Sequence, residues 1–164
     1  IRYFLVQPFF VRGASMEPNF HDGEYLIIDE LSYRFRDERR GEVVVFKFPD
    51  DPSQYYIKRI IGLPGETVKV DKGQVIIYND VHPEGVLLDE SGYLPMDLRT
   101  GGKVSITLGE DEYFVMGDNR AASSDSRSWG ELSKESIVGR VWLRAFPLSE
   151  MGVVSFRRPG FISL

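Results

Sequence analysis

The sequence predicts a mainly β fold built as a single unit. Three observations predict it: short β-rich runs recur along the chain, turn-forming residues separate them, and no long stretch carries a 3.6-residue apolar period. The 164 residues suit one compact domain. Hydrophobic residues at 42% and charged residues at 27% match a chain that buries a core, not a disordered one.

In chain order, the candidate strands are Phe9 to Val11, Glu24 to Ile28, Glu42 to Phe48 and Gln54 to Ile61. Thr67 to Val70, Gln74 to Tyr78, Val104 to Leu108, Glu112 to Met116 and Ile137 to Phe146 follow. Their separators are turn formers: His21-Asp22-Gly23, Asp50-Asp51-Pro52, Leu63-Pro64-Gly65, Asp71-Lys72-Gly73, Asn79-Asp80 and Thr100-Gly101-Gly102. One short helix is expected near Glu131 to Ser136. The composition loosens around His82 to Gly102, so residues 66–111 read as a smaller β-rich subdomain inserted into a unit made of 1–65 and 112–164.

Charge and cysteine content narrow the chemistry. Twenty basic and 25 acidic residues leave a net charge of -5, so no overall positive field marks a nucleic-acid partner. The absence of cysteine removes disulfides, thiolate metal sites and a cysteine nucleophile together. No cofactor and no metal site are expected. The chain starts at Ile1, which reads as a processed product with an upstream part missing. The apolar start from Tyr3 to Val11 is shorter than the roughly 20 residues a membrane-spanning helix needs.

Chemistry must therefore use oxygen or nitrogen, and Ser15 is the first candidate. It lies in Gly13-Ala14-Ser15-Met16-Glu17-Pro18, a tight turn that displays a hydroxyl beside backbone N–H groups able to hold an oxyanion. A base is needed. His21 and His82 are the two histidines, both in polar turns, and a Ser-His-Asp arrangement through His21 and Asp22 is a poor fit so close to Ser15 in the chain. The other base is Lys58. Strand alternation places Tyr56, Lys58 and Ile60 on one face and Tyr55, Ile57, Arg59 and Ile61 on the other. An ordinary lysine, with a pKa of about 10.4, is protonated at neutral pH and accepts no proton; burial against apolar groups lowers that value. A snorkelling surface lysine is the competing reading.

A third element is the polar run Gly117 to Gly130, which carries Asp118, Asn119, Arg120, Ser123, Asp125, Ser126 and Arg127 directly after an apolar strand. Such density is stable where the groups satisfy one another. A solvated loop, or a cation site through Asp118 and Asp125, are the alternatives.

Together these segments resemble the boxes of type I signal peptidases, the leader peptidases of the Ser-Lys serine protease class. Ser15-Met16-Glu17-Pro18 is similar to the nucleophile box, Lys58 to Glu66 to the lysine box, and Gly117 to Gly130 to the Gly-Asp-Asn-Arg and Ser-x-Asp-Ser-Arg box, in the same order. The resemblance implies a signal-peptidase-like coiled β-sheet core with Ser15 as nucleophile and Lys58 as general base. It implies that Ser123 hydrogen-bonds and orients the lysine amine, and that Asp118, Arg120, Asp125, Ser126 and Arg127 support the site. Gly13 stands where part of the family carries a hydroxyl that helps bind the oxyanion, and Ala121-Ala122 where many relatives carry Asp-Asn.

The implied activity is removal of N-terminal signal peptides from exported preproteins after small residues at positions -3 and -1. In an extended substrate those two side chains point the same way. Phe9, Val11, Met16, Phe20, Leu26, Tyr56 and Ile57 are the candidates for the pockets that read them. The implied location is the outer face of a bacterial plasma membrane, with Phe4 and Leu5 meeting the lipid bilayer surface. A self-cleaving repressor-type Ser-Lys domain and a non-enzymatic β-rich binding module are the rival readings.

Overall fold

The computed structural model describes residues 6–164. The expected lipid contacts Phe4 and Leu5 lie outside them. β1 (Val6–Phe10) and β2 (Tyr25–Asp29) form the first antiparallel pair. β3 (Val43–Phe48) and the long β4 (Asp51–Gly62) form the second. β5 (Thr67–Asp71), β6 (Gln74–Tyr78), β7 (Val86–Asp89) and β8 (Val104–Thr107) follow, then β9 (Glu112–Met116) and the single helical turn α1 (Ser126–Trp129). β10 (Leu132–Ser133), β11 (Ile137–Phe146), β12 (Gly152–Val153) and β13 (Gly160–Ile162) complete the chain. The fold is mainly β, as the sequence predicts.

Two antiparallel sheets result. The larger runs β1-β2-β11-β3-β4-β9-β10, with β12 on the edge of β11, and the smaller runs β13-β7-β6-β5-β8. The smaller sheet takes four strands from within 66–111 and its fifth, β13, from the C-terminal tail, where Phe161 pairs with Leu88. The β5–β6 turn shows why local sequence suffices there: Lys72 and Gly73 both adopt positive φ, at 52° and 81°, the geometry of a two-residue hairpin loop.

The sheets share a core. Ile61 of β4 and Phe114 and Met116 of β9 pack with Val68, Val70, Val75, Ile77, Val86 and Leu88 of the smaller sheet. A buried ion pair crosses the same junction. Arg40 reaches the two Glu66 oxygens at 2.6 and 2.8 Å and the Ile61 carbonyl at 2.9 Å, while Glu66 also accepts from Leu63 N and the Asn79 amide. Such a pair holds because every charge has a partner. A second cluster gathers Val11, Met16, Phe20, Leu26, Ile28, Val43, Val45, Ile57 and Val141 beneath the Ser15 turn.

Several boundaries differ from expectation for physical reasons. The first strand runs Val6–Phe10, so Val11 leaves the ladder and is buried instead. The hairpin before β4 turns at Pro49-Asp50, with Asp51 already paired to Phe48, because the Asp51 carboxylate accepts from Ser53 and Gln54 and folds its bend inside the strand end. The helix expected near Glu131 to Ser136 is a 3-10 turn at Lys134–Ser136, since Leu132 is drawn into the core opposite Tyr113. The α-turn lies earlier, at Ser126–Trp129, where Asp125 caps the Arg127 N–H and Gly130 at φ 88° ends it. β7, β10, β12 and β13 are too short, or too polar, to announce themselves by period.

Phe114 is fully buried where the two sheets meet. Phe114→Ala is expected to cost about 3–5 kcal/mol, read as a lower urea midpoint.

Candidate active site

The turn carrying Ser15 is held from three sides. Val11 N–H donates to Glu24 O at 2.8 Å and Gly23 N–H to Val11 O at 2.9 Å, which closes the base of the loop after β1. Gly13, at φ +82°, donates its N–H to Asp22 Oδ1 at 2.7 Å. Met16 then drops into the core at 1% exposure, where its sulfur accepts the Asp118 N–H, and its carbonyl accepts from Asn19 and Phe20. The serine is left on a rigid bend with its side chain half-buried and facing β4.

Lys58 faces it. Its Nζ lies 2.9 Å from Ser15 Oγ, 3.0 Å from the Ile57 carbonyl and 5.1 Å from the centroid of the Tyr56 ring. The alternation expected for this strand holds, with Tyr56 and Ile60 packing in one cluster and Ile57 in another. Lys58 is 4% exposed, and burial pulls its pKa down to about 8 against the opposing pull of Asp125 and Asp118. Two residues 43 apart in the chain thus form one hydroxyl–amine pair.

The polar run is not a solvated loop. Asp118, fully buried, takes a bidentate bond from Arg59 at 2.8 and 2.6 Å and a third from the Asn19 amide at 2.8 Å. Arg59 also stacks on the Tyr93 ring, 3.9 Å from its centroid. Asn119 clamps the Ser15 turn: its N–H donates to Ser15 O and its side-chain amide to Ala14 O, both at 3.0 Å. Arg120 reaches the smaller sheet's flank, bonding Glu90, Thr100 Oγ1 and the Gly117 carbonyl. Asp125 pairs with Arg127 through two 2.9 Å bonds and accepts from Gly117 N–H. Its burial opposes ionisation, but Arg127 and that N–H hold its pKa below the usual value. Ser126 Oγ accepts the Val115 N–H and so fixes α1 to β9. Among the described residues no cluster of His, Cys, Asp or Glu is arranged to hold a metal ion.

Some expected roles change. Ser123 is not bonded to the lysine amine: its hydroxyl is buried without a well-aligned hydrogen bond, tight against Gly117, and near enough to Asp125 to help keep that carboxylate ionised. The second acceptor for the amine is a backbone carbonyl, which no side-chain motif announces. His21 is exposed beside Glu17 at 3.6 Å, and Asp22 is spent on Gly13, so the histidine triad has no geometry.

A cleft of about 600 Å³ opens above Ser15 and Lys58. Phe9, Tyr56 and Ile57 line it as expected, joined by Pro8, Phe10, Arg12, Gln54, Tyr55 and Ser124. Val11, Met16, Phe20 and Leu26 do not; each is at most 2% exposed and forms the core below. Strand alternation alone does not tell a wall residue from a core residue one layer deeper. Of the residues missed, Arg59 and Asn119 stand inside the quoted motifs, whereas Asn19, Tyr93 and Glu90 reach the site through tertiary packing.

Lys58 carries a stability cost that its pKa makes measurable. Its folded value lies near 8 and its ordinary value at 10.5, so the unfolded chain holds more protons between them and stability rises with pH across that window. Below about pH 8 the full burial penalty is present. Lys58→Met is therefore expected to be more stable than the parent at neutral pH by on the order of 3 kcal/mol, with the gain shrinking as pH climbs toward 10. Urea midpoints of both proteins across that range check it.

Known proteins resemble this chain over most of its length. The family described as "Signal peptidase, peptidase S26" matches residues 1–146. The chain is 37% identical to a probable signal peptidase I-2 of Synechocystis over 94% of its own length and 70% of that protein's. It is 36% identical to signal peptidase I of Bacillus licheniformis over 92% of its own length and 82% of that protein's. The crystal structure of a signal peptidase I from Enterococcus faecalis V583 superposes with a TM-score of 0.51 at 28% identity, covering 64% of this chain and 97% of that one. The family match over residues 1–146, together with relatives at 36–37% identity over more than nine-tenths of the chain, places this chain in the signal peptidase family, peptidase S26.

Proposed function

We propose that this chain is a type I signal peptidase, a serine endopeptidase that removes signal peptides from exported preproteins through a Ser15–Lys58 dyad. The observation that carries the dyad is the 2.9 Å contact between Ser15 Oγ and a buried amine whose pKa lies near 8. The rival repressor-type and binding-module readings lack support in the comparisons.

The steps follow from the geometry. Neutral Lys58 Nζ takes the Ser15 proton as Oγ bonds to the scissile carbonyl carbon, and the carbonyl oxygen becomes an oxyanion. Backbone N–H groups of the Ser15 turn, that of Ser15 included, are the donors for it, since Gly13 offers no hydroxyl. Collapse breaks the C–N bond, and the Lys58 ammonium gives its proton to the leaving amine. Water, deprotonated by the same amine, then bonds to the acyl carbon; the C–Oγ bond breaks, and Ser15 Oγ takes the proton back from Lys58. Asn119 keeps the nucleophile's backbone still throughout.

Sheet topology supports an extended substrate. Among the described residues β1 pairs with β2 alone, and β4 meets β9 only from Arg59 onward, so the stretch Gln54–Lys58 has an edge that none of them covers. Both edges border the cleft. A peptide laid between them adds a strand and directs alternate side chains, -1 and -3, toward the same wall. The small side chains of a signal-peptide cleavage site suit a wall crowded by Phe9, Tyr56 and Ile57.

The proposed location is the outer membrane-facing side of a bacterial plasma membrane. No helix among the described residues is long and apolar enough to cross a bilayer. Support for a surface contact comes from Phe10, Tyr25 and Phe146, neighbours across β1, β2 and β11 with ring centroids 4.9 and 6.0 Å apart, all exposed. Leu148 and Met151 continue the exposed apolar run. Co-sedimentation with liposomes is expected, and a Phe10→Ser, Phe146→Ser double variant is expected to lose it.

Ser15→Ala and Lys58→Ala are each expected to lower kcat/KM on a signal-peptide substrate in detergent by about 10²- to 10⁴-fold or more, while His21→Ala leaves it near the parent value. The base must be neutral, so kcat/KM is expected to fall as pH drops below about 8. Retained cleavage by either dyad variant would overturn the mechanism.

A further inference from the structure

Among the described residues the cleft of this acidic chain is lined by no carboxylate, although the protein carries a net charge of -5. The basic residues among them that line it are Lys58, which works as a neutral amine, and Arg12. The other arginines around the site are neutralised: Arg59 by Asp118, Arg120 by Glu90 and Arg127 by Asp125. Among the described residues Arg12 makes no ion pair. Asp22 bonds the adjacent Gly13 N–H instead, and Glu17 faces His21. The Arg12 side chain is exposed, and its guanidinium lies 5.5 Å over the half-open Phe10 ring at the cleft wall.

Position gives this charge a use. Arg12 stands between the end of β1 and the nucleophile, three residues before Ser15. A peptide held along β1 with its scissile carbonyl at Ser15 passes this guanidinium within a residue or two of the cut. A carboxylate there gains a partner that can donate two hydrogen bonds to it, and an ammonium there meets a like charge that no carboxylate on the cleft wall neutralises.

We infer that Arg12 is a specificity-determining residue: its unpaired guanidinium, set in the cleft beside Ser15, favours substrates with an acidic side chain next to the scissile bond and disfavours basic ones. The inference rests on the endopeptidase reading above and adds the charge class of its substrates. Because Arg12 is exposed, the discrimination is modest and salt-sensitive.

The test is a set of peptides with one neutral cleavage site, varied to Asp, Asn or Lys at each of the two positions on either side of the cut. Cleavage is measured in non-ionic detergent at low and high salt. The neutral parent peptide tests the underlying reading, since failure of the unaltered enzyme to cut it counts against the activity and not against Arg12 alone. With Arg12 present, kcat/KM for Asp is expected to exceed that for Lys by roughly two- to fivefold at one or more positions at low salt, and less at high salt. Arg12→Gln is expected to remove the preference and Arg12→Glu to invert it. An identical preference in all three enzymes, or a loss uniform across peptides, overturns the inference.

Discussion

The arrangement depends on one constraint: an amine must be kept dry enough to be uncharged, yet close enough to a hydroxyl to take its proton. Both conditions are met at Lys58 by the same feature, its place on the inward face of β4 between Tyr56 and Ile60. The strand supplies burial, and burial lowers the pKa to about 8. It also fixes direction, because a residue in the middle of a paired ladder has few rotamers that avoid its neighbours. A lysine on a loop could be as close to Ser15, but solvent would keep it protonated.

The serine needs the opposite treatment. Its turn must be exposed enough to admit a substrate and rigid enough to hold the hydroxyl in place. Rigidity comes from below through Met16 and from the side through Asn119, both of which involve the Gly117–Gly130 run. Gly117 is required there. A Cβ on it would collide with Ser123 Oγ and with the Ser15 carbonyl oxygen, so only glycine lets the third segment close on the first. The smaller sheet joins the same brace, since Glu90 and Thr100 hold Arg120 and the Tyr93 carbonyl holds Asn19.

The strands of the main sheet were legible because their apolar runs are long and their turns carry Gly, Pro and Asp. The Ser15–Lys58 contact was legible because both residues sit in motif-bearing segments. Ser123's expected bond to the amine was not: a motif fixes which residues meet, but not which of two acceptors, a hydroxyl or the Ile57 carbonyl, the amine takes. Val11, Met16, Phe20 and Leu26 were misplaced for a related reason. The sheet curls until β1 returns toward β4, and the curl decides which apolar face becomes cleft wall and which becomes core. Register shifts in β4 and β11, at Ile60/Gly62 and Val141/Leu143, accompany that curl, and of the two only the first is marked in the sequence, by Gly62.

The buried carboxylates raise a question that their partners answer. Asp118 and Asp125 both pull the Lys58 pKa upward, against the catalytic requirement. Unpaired, each would favour the ammonium form strongly in a low-dielectric site. Neither is unpaired. Arg59 and Arg127 grip them in bidentate fashion, so the amine sees two ion pairs of nearly zero net charge instead of two anions. The arginines thus do more than tie the loop to the sheet. They let carboxylates brace the nucleophile turn while burial still decides the protonation state of the base.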